Sequence, residues 1–250
     1  MNAETSISLP PIAGYHPTTL IDWPGRLAAI VFLPQCNLRC PFCHAGPMLA
    51  APEEAIALES VLEHIASRDG WLDGVVICGG EPTLWPTLPD FCRVFRDAGL
   101  AVKLDTNGTQ PAVLASLAEQ GLIDAVSMDL KAPLDERYSR ACGGPVDLET
   151  LRQSIRLLMK SGLDYEFRTT VCPPLVGEAE IRAMGASILG ARRWVLQRFE
   201  PTYALDPALR VTLPYDLPMM ETLAEIGSHY VARCVIRGQP QKRPGDSCKD

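Results

Sequence analysis

Three features of the sequence predict an α/β fold built on a parallel sheet. Six short apolar runs follow one another from residue 27 onward, and helix-periodic segments alternate with them. Glycine and polar motifs gather at the ends of those runs, and no linker-like stretch divides the chain. Alternating strand and helix patterns signal βα units, and motifs at strand ends are expected where a site lies at the C-terminal face of a barrel. Periodicity leaves both an open doubly wound sheet and an incomplete barrel standing.

Residues 1–11 read as a loose arm, and 12–26 as a hairpin or loop covering one end of the core. The first strand is 28–33, followed by a cysteine-dense loop. A helix follows in which Leu58, Val61, Leu62 and Ile65 share one face and Gly70 is the stop. Strand 74–78 ends in Gly79-Gly80, and a helix spans 88–98. Strand 101–104 ends in Asp105-Thr106-Asn107-Gly108. Pro111 opens a helix that Gly121 closes. Strand 125–130 leads through a Pro- and Gly-containing connection, 133–145, to a helix bearing Leu148, Leu151, Ile155 and Leu158 on one face. Strand 165–171, a helix over 178–189 and strand 194–199 come next. A Pro-rich stretch, 201–218, precedes a last helix at 219–226, and the apolar segment 230–236 is a candidate further strand.

The chain has 250 residues, of which 47% are apolar, enough to bury a sizeable core. A net charge of −7 argues against general nucleic-acid binding, which needs a basic face. No stretch reads as a signal peptide or a bilayer span. The expectation is therefore a cytoplasmic protein with neither nucleic acid nor membrane among its partners. Nine cysteines, an odd count, favour metal or free thiols over disulfides in that compartment.

Three of the nine cluster as Cys36, Cys40 and Cys43, spaced C-x3-C-x2-C directly after the first strand. Cys78, Cys92, Cys142, Cys172, Cys234 and Cys248 have no ligand spacing and read as incidental thiols. Cys40–His44 formally matches the haem-attachment pattern C-x-x-C-H, but that needs export and leaves Cys36 without a role. A closed zinc site wants four ligands, and adjacent Cys43 and His44 are poorly placed to share one ion. An iron–sulfur cluster held by three thiolates suits the spacing, and the missing fourth ligand leaves one iron open to a substrate or cofactor.

With Gly79-Gly80-Glu81-Pro82 following at a strand end, the cluster motif resembles the radical S-adenosylmethionine (SAM) superfamily over nearly the whole chain. The resemblance implies a partial (β/α)6 TIM-like barrel. It implies a 4Fe–4S cluster on Cys36, Cys40 and Cys43, and an open iron chelated by S-adenosylmethionine. Reductive cleavage would then give methionine and a 5′-deoxyadenosyl radical. Phe42 would pack over the cluster edge, Gly79 and Gly80 would let backbone approach the cofactor, and Glu81 would offer a carboxylate to its ammonium group. Asp105-Thr106-Asn107-Gly108 and Met128-Asp129-Leu130-Lys131 resemble segments of the glycyl-radical-enzyme activating family. In that family Asp105, Asn107, Asp129 and Lys131 would lie around the cofactor, and the aspartates could help hold a monovalent cation. Arg168 is a candidate for the cofactor's carboxylate and Gln197 for its nucleoside.

Thr19–Gly25, 103–108, 128–133 and 166–171 most resemble the anaerobic ribonucleoside-triphosphate reductase activating group. The implied partners are that reductase, a glycyl radical enzyme, and a reduced flavodoxin or ferredoxin as electron donor. Ala45 departs from the group, which usually has Asn there. The domain reading is an arm and capping segment at 1–26, a radical SAM domain at 27–237 and a polar tail at 238–250. Arg237-Gly238 is a tail turn and not a glycyl-radical motif. Alternatives are an activase of another glycyl radical enzyme such as pyruvate formate-lyase, a small-molecule enzyme such as 7-carboxy-7-deazaguanine synthase, and a non-enzymatic iron–sulfur or zinc module.

Overall fold

The computed structural model describes residues 8–68 and 70–238. Each apolar run read as a strand forms one. The strands are β1 (Gly14–Thr19), β2 (Ala28–Leu33), β3 (Gly74–Gly79), β4 (Ala101–Thr106), β5 (Ala125–Asp129), β6 (Asp164–Val171), β7 (Trp194–Arg198) and β8 (Cys234–Arg237). They make a single sheet in chain order. β1 runs antiparallel to β2, and every later pair is parallel. Parallel neighbours need a crossover connection. The helices α1 (Leu58–Ala66), α2 (Leu88–Asp97), α3 (Pro111–Glu119), α5 (Leu148–Lys160), α6 (Glu178–Ser187) and α7 (Leu217–Ser228) lie in those connections. Among the described residues β1 and β8 do not pair with each other, so the barrel is partial. It carries seven parallel strands where six are predicted, because the apolar segment near the C-terminus supplies β8.

Alternation along each strand sorts side chains onto two faces. Val31, Leu33, Val75, Ile77, Val102, Leu104 and Met128 join the large core that also holds Phe91, Leu114 and Ile155 of the helices. Ala28, Ile30, Val76 and Ala125 point the other way and pack with Trp23 from the β1–β2 connection. The Trp23 ring lies against Gly74, the first residue of β3, where a Cβ would come within 2.8 Å of it. Trp23 therefore fills the barrel interior at the N-terminal ends of the strands, leaving the other end for a site.

Two expectations are corrected. The connection 133–145 contains a helix, α4 (Glu136–Cys142). Asp135 caps it by accepting from the Arg137 N–H at 3.0 Å, and Gly143 ends it in the left-handed region at φ +70°. The stretch from residue 8 to 12 is not a loose arm. Thr87 Oγ1 donates to the Ser8 carbonyl at 3.1 Å, and Ile12 is buried and bridged to Ile56. Residues 1–7 of the predicted arm and 239–250 of the predicted tail lie outside the described residues. No helix among those described is long and apolar enough to cross a membrane.

Candidate functional site at the C-terminal ends of the strands

β2 delivers the chain to the cysteine loop, and four other elements fasten that loop. Gln35, at φ +70°, donates through its N–H to the Met48 carbonyl at 2.7 Å and accepts from the Glu81 N–H at 2.7 Å. Arg39 N–H donates to the Cys142 carbonyl of α4 at 2.9 Å. Asn107, beyond β4, donates to Asn37 Oδ1 at 2.8 Å. Asp206 N–H, in the segment after β7, donates to the Pro41 carbonyl at 2.9 Å. The loop is thus held on a rigid frame, as a preorganised site requires.

Gly79 and Gly80 make the β3 contact possible. A Cβ on Gly80 would fall 1.9 Å from the Gln35 carbonyl oxygen, and one on Gly79 would fall 2.3 Å from that of Leu33. No other residue fits either position. Glu81, next in sequence, is fully buried. Its Oε1 accepts from Thr83 N–H at 3.1 Å, Thr83 Oγ1 at 2.5 Å and Thr106 Oγ1 at 2.6 Å, and its Oε2 accepts from Asn107 N–H at 2.6 Å. Burial pushes its carboxyl above the usual range while these bonds pull it down. The carboxylate expected to meet an ammonium group therefore already ties the end of β3 to the end of β4.

A cavity of about 240 Å³ opens here, lined by all thirteen residues singled out in the sequence. Its charged wall is a buried lattice. Lys103 and Arg168 Nη1 bind Asp105, the latter at 2.7 Å. Arg168 Nε and Lys131 bind Asp129 at 2.8 and 3.0 Å. Each of the four carboxylate oxygens has its own cationic partner, and Arg168 bridges the two aspartates. A monovalent cation, which the resemblance allows there, finds both carboxylates already neutralised by the chain. Burial opposes ionisation of Asp105 and Asp129, but Lys103 and Arg168 around the first and Arg168 and Lys131 around the second outweigh it and hold both carboxyls low. Lys131 and Arg168 line the cavity, and Lys103 stands behind Asp105, outside the lining. Deeper in the barrel, Glu166 accepts from Ser127 at 2.8 Å and from Arg237 of β8 at 3.1 and 3.2 Å.

The opposite wall is sulfur and apolar surface. Phe42 is buried beside the Lys131 ammonium, 6.0 Å from its ring centroid. Burial, reinforced by Arg168, lowers the pKa of His44, which also lines the cavity with Ala45. Burial raises the thiols of Cys36 and Cys43, whereas the neighbouring Cys142 lowers that of Cys40. Sequence reasoning missed Asp22, Phe32, Cys78, Thr106 and Thr170, which also line the cavity. Strand register carries the signal for several of them. Phe32 pairs with Cys78 and Thr170 with Gln197, and Thr170 stands two residues beyond Arg168 on the same face.

Residues 30–184 match the Radical SAM superfamily. The chain belongs to that superfamily. A Methanocaldococcus jannaschii protein provisionally named glycyl-radical enzyme activating enzyme is 30% identical over 232 residues, covering 90% of this chain and 95% of the relative. Among solved structures, Streptococcus suis SuiB bound to the precursor peptide SuiA aligns with a TM-score of 0.64 at 16% identity, over 82% of this chain and 47% of SuiB. This chain thus spans about half of SuiB's length. A domain of pyruvate-formate lyase-activating enzyme from Bacteroides vulgatus aligns with a TM-score of 0.54 at 17% identity, over 66% of this chain and 99% of that domain. At these identities the two structures speak for the fold, that of a radical SAM enzyme. Membership in the superfamily implies an iron–sulfur cluster and S-adenosylmethionine. The donor set fits: three thiols from one rigid loop line a single cavity whose far wall carries Asp105, Asp129, Lys131 and Arg168.

Proposed function

We propose that this radical SAM enzyme is a glycyl-radical-enzyme activase and that its partner is the anaerobic ribonucleoside-triphosphate reductase. In this reading Cys36, Cys40 and Cys43 hold a 4Fe–4S cluster. When bound, the cluster and S-adenosylmethionine supply the electron transfer and the carbon radical that removes hydrogen from a backbone glycine. The chain's own residues do the rest. The lattice of Lys103, Asp105, Asp129, Lys131 and Arg168 receives the amino-acid end of the cofactor, with Lys131 and Arg168 meeting the carboxylate. Gly79 and Gly80 let backbone approach, Asn107 stands between the cysteine loop and the cofactor, Phe42 excludes water beside the cluster, and Gln197 faces the nucleoside. A reduced flavodoxin or ferredoxin in the cytoplasm is the matching electron donor.

The observation that carries the reading is the joining of the three-thiol loop and the ionic strand ends in one cavity. The relative matched over 90% of this chain supports the activase class. The reductase assignment rests on the resemblance of Thr19–Gly25 and the strand-end motifs. Anaerobic reconstitution tests all levels. About four irons per chain, cleavage of S-adenosylmethionine on reduction, and a glycine-centred EPR doublet in the added reductase are expected. A doublet only in pyruvate formate-lyase would reassign the partner, and a colourless zinc-loaded chain without cleavage would sink the enzyme reading. Cys40→Ala is expected to abolish both iron retention and cleavage.

A further inference from the structure

Of the five residues in the ionic lattice, Lys103 alone stands outside the cavity lining. It shares the inward face of β4 with Asp105, two residues further on. Its partners across the sheet are Val76 of β3 and Ala125 of β5, both members of the apolar cluster around Trp23. The side chain is buried, and its ammonium donates to Asp105 Oδ1 and to no other side chain among those described. Arg168 holds the other oxygen of Asp105 at 2.7 Å, but it also holds one of Asp129 at 2.8 Å and lines the cavity. A ligand carboxylate that draws on Arg168 and Lys131 therefore takes a share of their charge from the two aspartates. Lys103, below the site, stays with Asp105. A buried ammonium among apolar side chains is costly unless it is paired, so its place in the fold is tied to that one carboxylate.

We propose that Lys103 is a built-in counter-ion: a positioning residue whose ammonium fills the place at Asp105 that a monovalent metal cation would otherwise take, so that the site works without one. The lysine head is a compact single charge, and carboxylate oxygen is the ligand that hard cations prefer, so either can serve the same oxygen. The chain's version is fixed to β4 and cannot be lost to solvent. The ion pairs stand on the structure alone; only the use of the lattice by S-adenosylmethionine rests on the function proposed above.

The test measures thermal unfolding and S-adenosylmethionine cleavage on the anaerobically reconstituted full chain in sodium, potassium and tetramethylammonium chloride at one ionic strength. Tetramethylammonium screens charge equally but is too large for a buried single-ion site. Wild type is expected to show the same unfolding midpoint and the same cleavage rate in all three salts. K103A removes the charge and opens space for an ion. Its midpoint is expected to fall in tetramethylammonium and to recover most of that loss in sodium or potassium, with cleavage following the same order. K103M fills the space without a charge and is expected to show the lowered midpoint in every salt. A wild-type midpoint or rate that is higher in an alkali salt than in tetramethylammonium would overturn the proposal. So would a K103A midpoint that no alkali ion raises, or a K103M midpoint that recovers as fully as that of K103A. K103S is read in the same way if alanine unfolds the chain, and the wild-type comparison can overturn the proposal by itself. Wild-type midpoints that ignore the salt, with no cleavage in any of them, break the functional reading and leave this one standing.

Discussion

The two walls of the cavity rest on opposite chemistry. β2, β3 and the cysteine loop contribute Phe32, Cys78, Phe42 and three thiols, whereas β4, β5 and β6 contribute Asp105, Asp129 and Arg168 backed by Lys103 and Lys131. Soft sulfur ligands suit iron–sulfur clusters, and an ionic wall suits a zwitterion. The difference teaches what each wall is for. Buried ion pairs contribute little net stability compared with well-packed apolar side chains of similar volume, so four of them concentrated on one side of a cavity are better understood as a binding surface than as a support for the fold. Apolar packing elsewhere, around Trp23 and between sheet and helices, does that structural work.

The sharpest way to break the contrast is at Arg168. Arg168→Ala leaves one oxygen of Asp105 and one of Asp129 without their cationic partner inside the barrel. Removing one member of a buried ion pair costs about 3–5 kcal/mol. Denaturant unfolding is expected to show a loss of that order, and the thermal stabilisation given by S-adenosylmethionine to the reconstituted protein is expected to disappear. A variant within 1 kcal/mol of wild type would mean that water serves the ionic wall and that the two walls differ less than their residues suggest.

Glu81 sits at the seam between the walls, and the next effect in size is expected there. Glu81→Gln changes almost no volume, yet all four groups facing the carboxylate are donors. An amide brings its own N–H groups against either the Asn107 N–H or the three donors on Oε1. The expected cost is about 1–3 kcal/mol, that of leaving a buried donor unsatisfied, read by the same unfolding experiment. Glu81→Asp, which keeps the acceptors and shortens the reach, separates charge from geometry. An unchanged stability in Glu81→Gln would show that the seam does not depend on these bonds.

Much of this was legible in the sequence because the elements are local. The apolar runs at 28–33 and 125–130 became β2 and β5 almost residue for residue, since parallel strands buried on both faces need unbroken apolar stretches. The thirteen site residues lie at strand ends or in the cysteine loop, where motif and position coincide. What stayed hidden depends on contacts distant in sequence. α4 is short and framed by Pro133 and Gly143, so propensity alone argued against it. Cys142 has no ligand spacing, and its carbonyl meets Arg39 of the cysteine loop only because α4 folds back over that loop. Two of Glu81's four donors come from the end of β4, twenty-five and twenty-six residues away along the chain. Arg168's bridge between two strands depends on register, which pairs Asp129 with Arg168.

The smallest effect belongs to the sulfur wall, and it tests whether a cysteine in the cavity is thereby a ligand. Cys78 lines the cavity, faces Phe32 across β2 and β3, and packs with the Trp23 cluster. Burial, reinforced by the negative charge of Asp105, pushes its thiol well above the ordinary range, and Cys78 stands outside the C-x3-C-x2-C loop that carries the three grouped thiols. Cys78→Ala should cost about 1 kcal/mol, the transfer term of a small buried group, and should leave iron content at the wild-type level. Cys43→Ala, by contrast, is expected to lose the iron. Iron loss in Cys78→Ala equal to that in Cys43→Ala would place a fourth sulfur on the cluster and close the coordination position that an open iron requires. The sulfur wall would then hold an electron-transfer centre facing an ionic pocket, and the complementarity of the two walls would need another ligand to explain it.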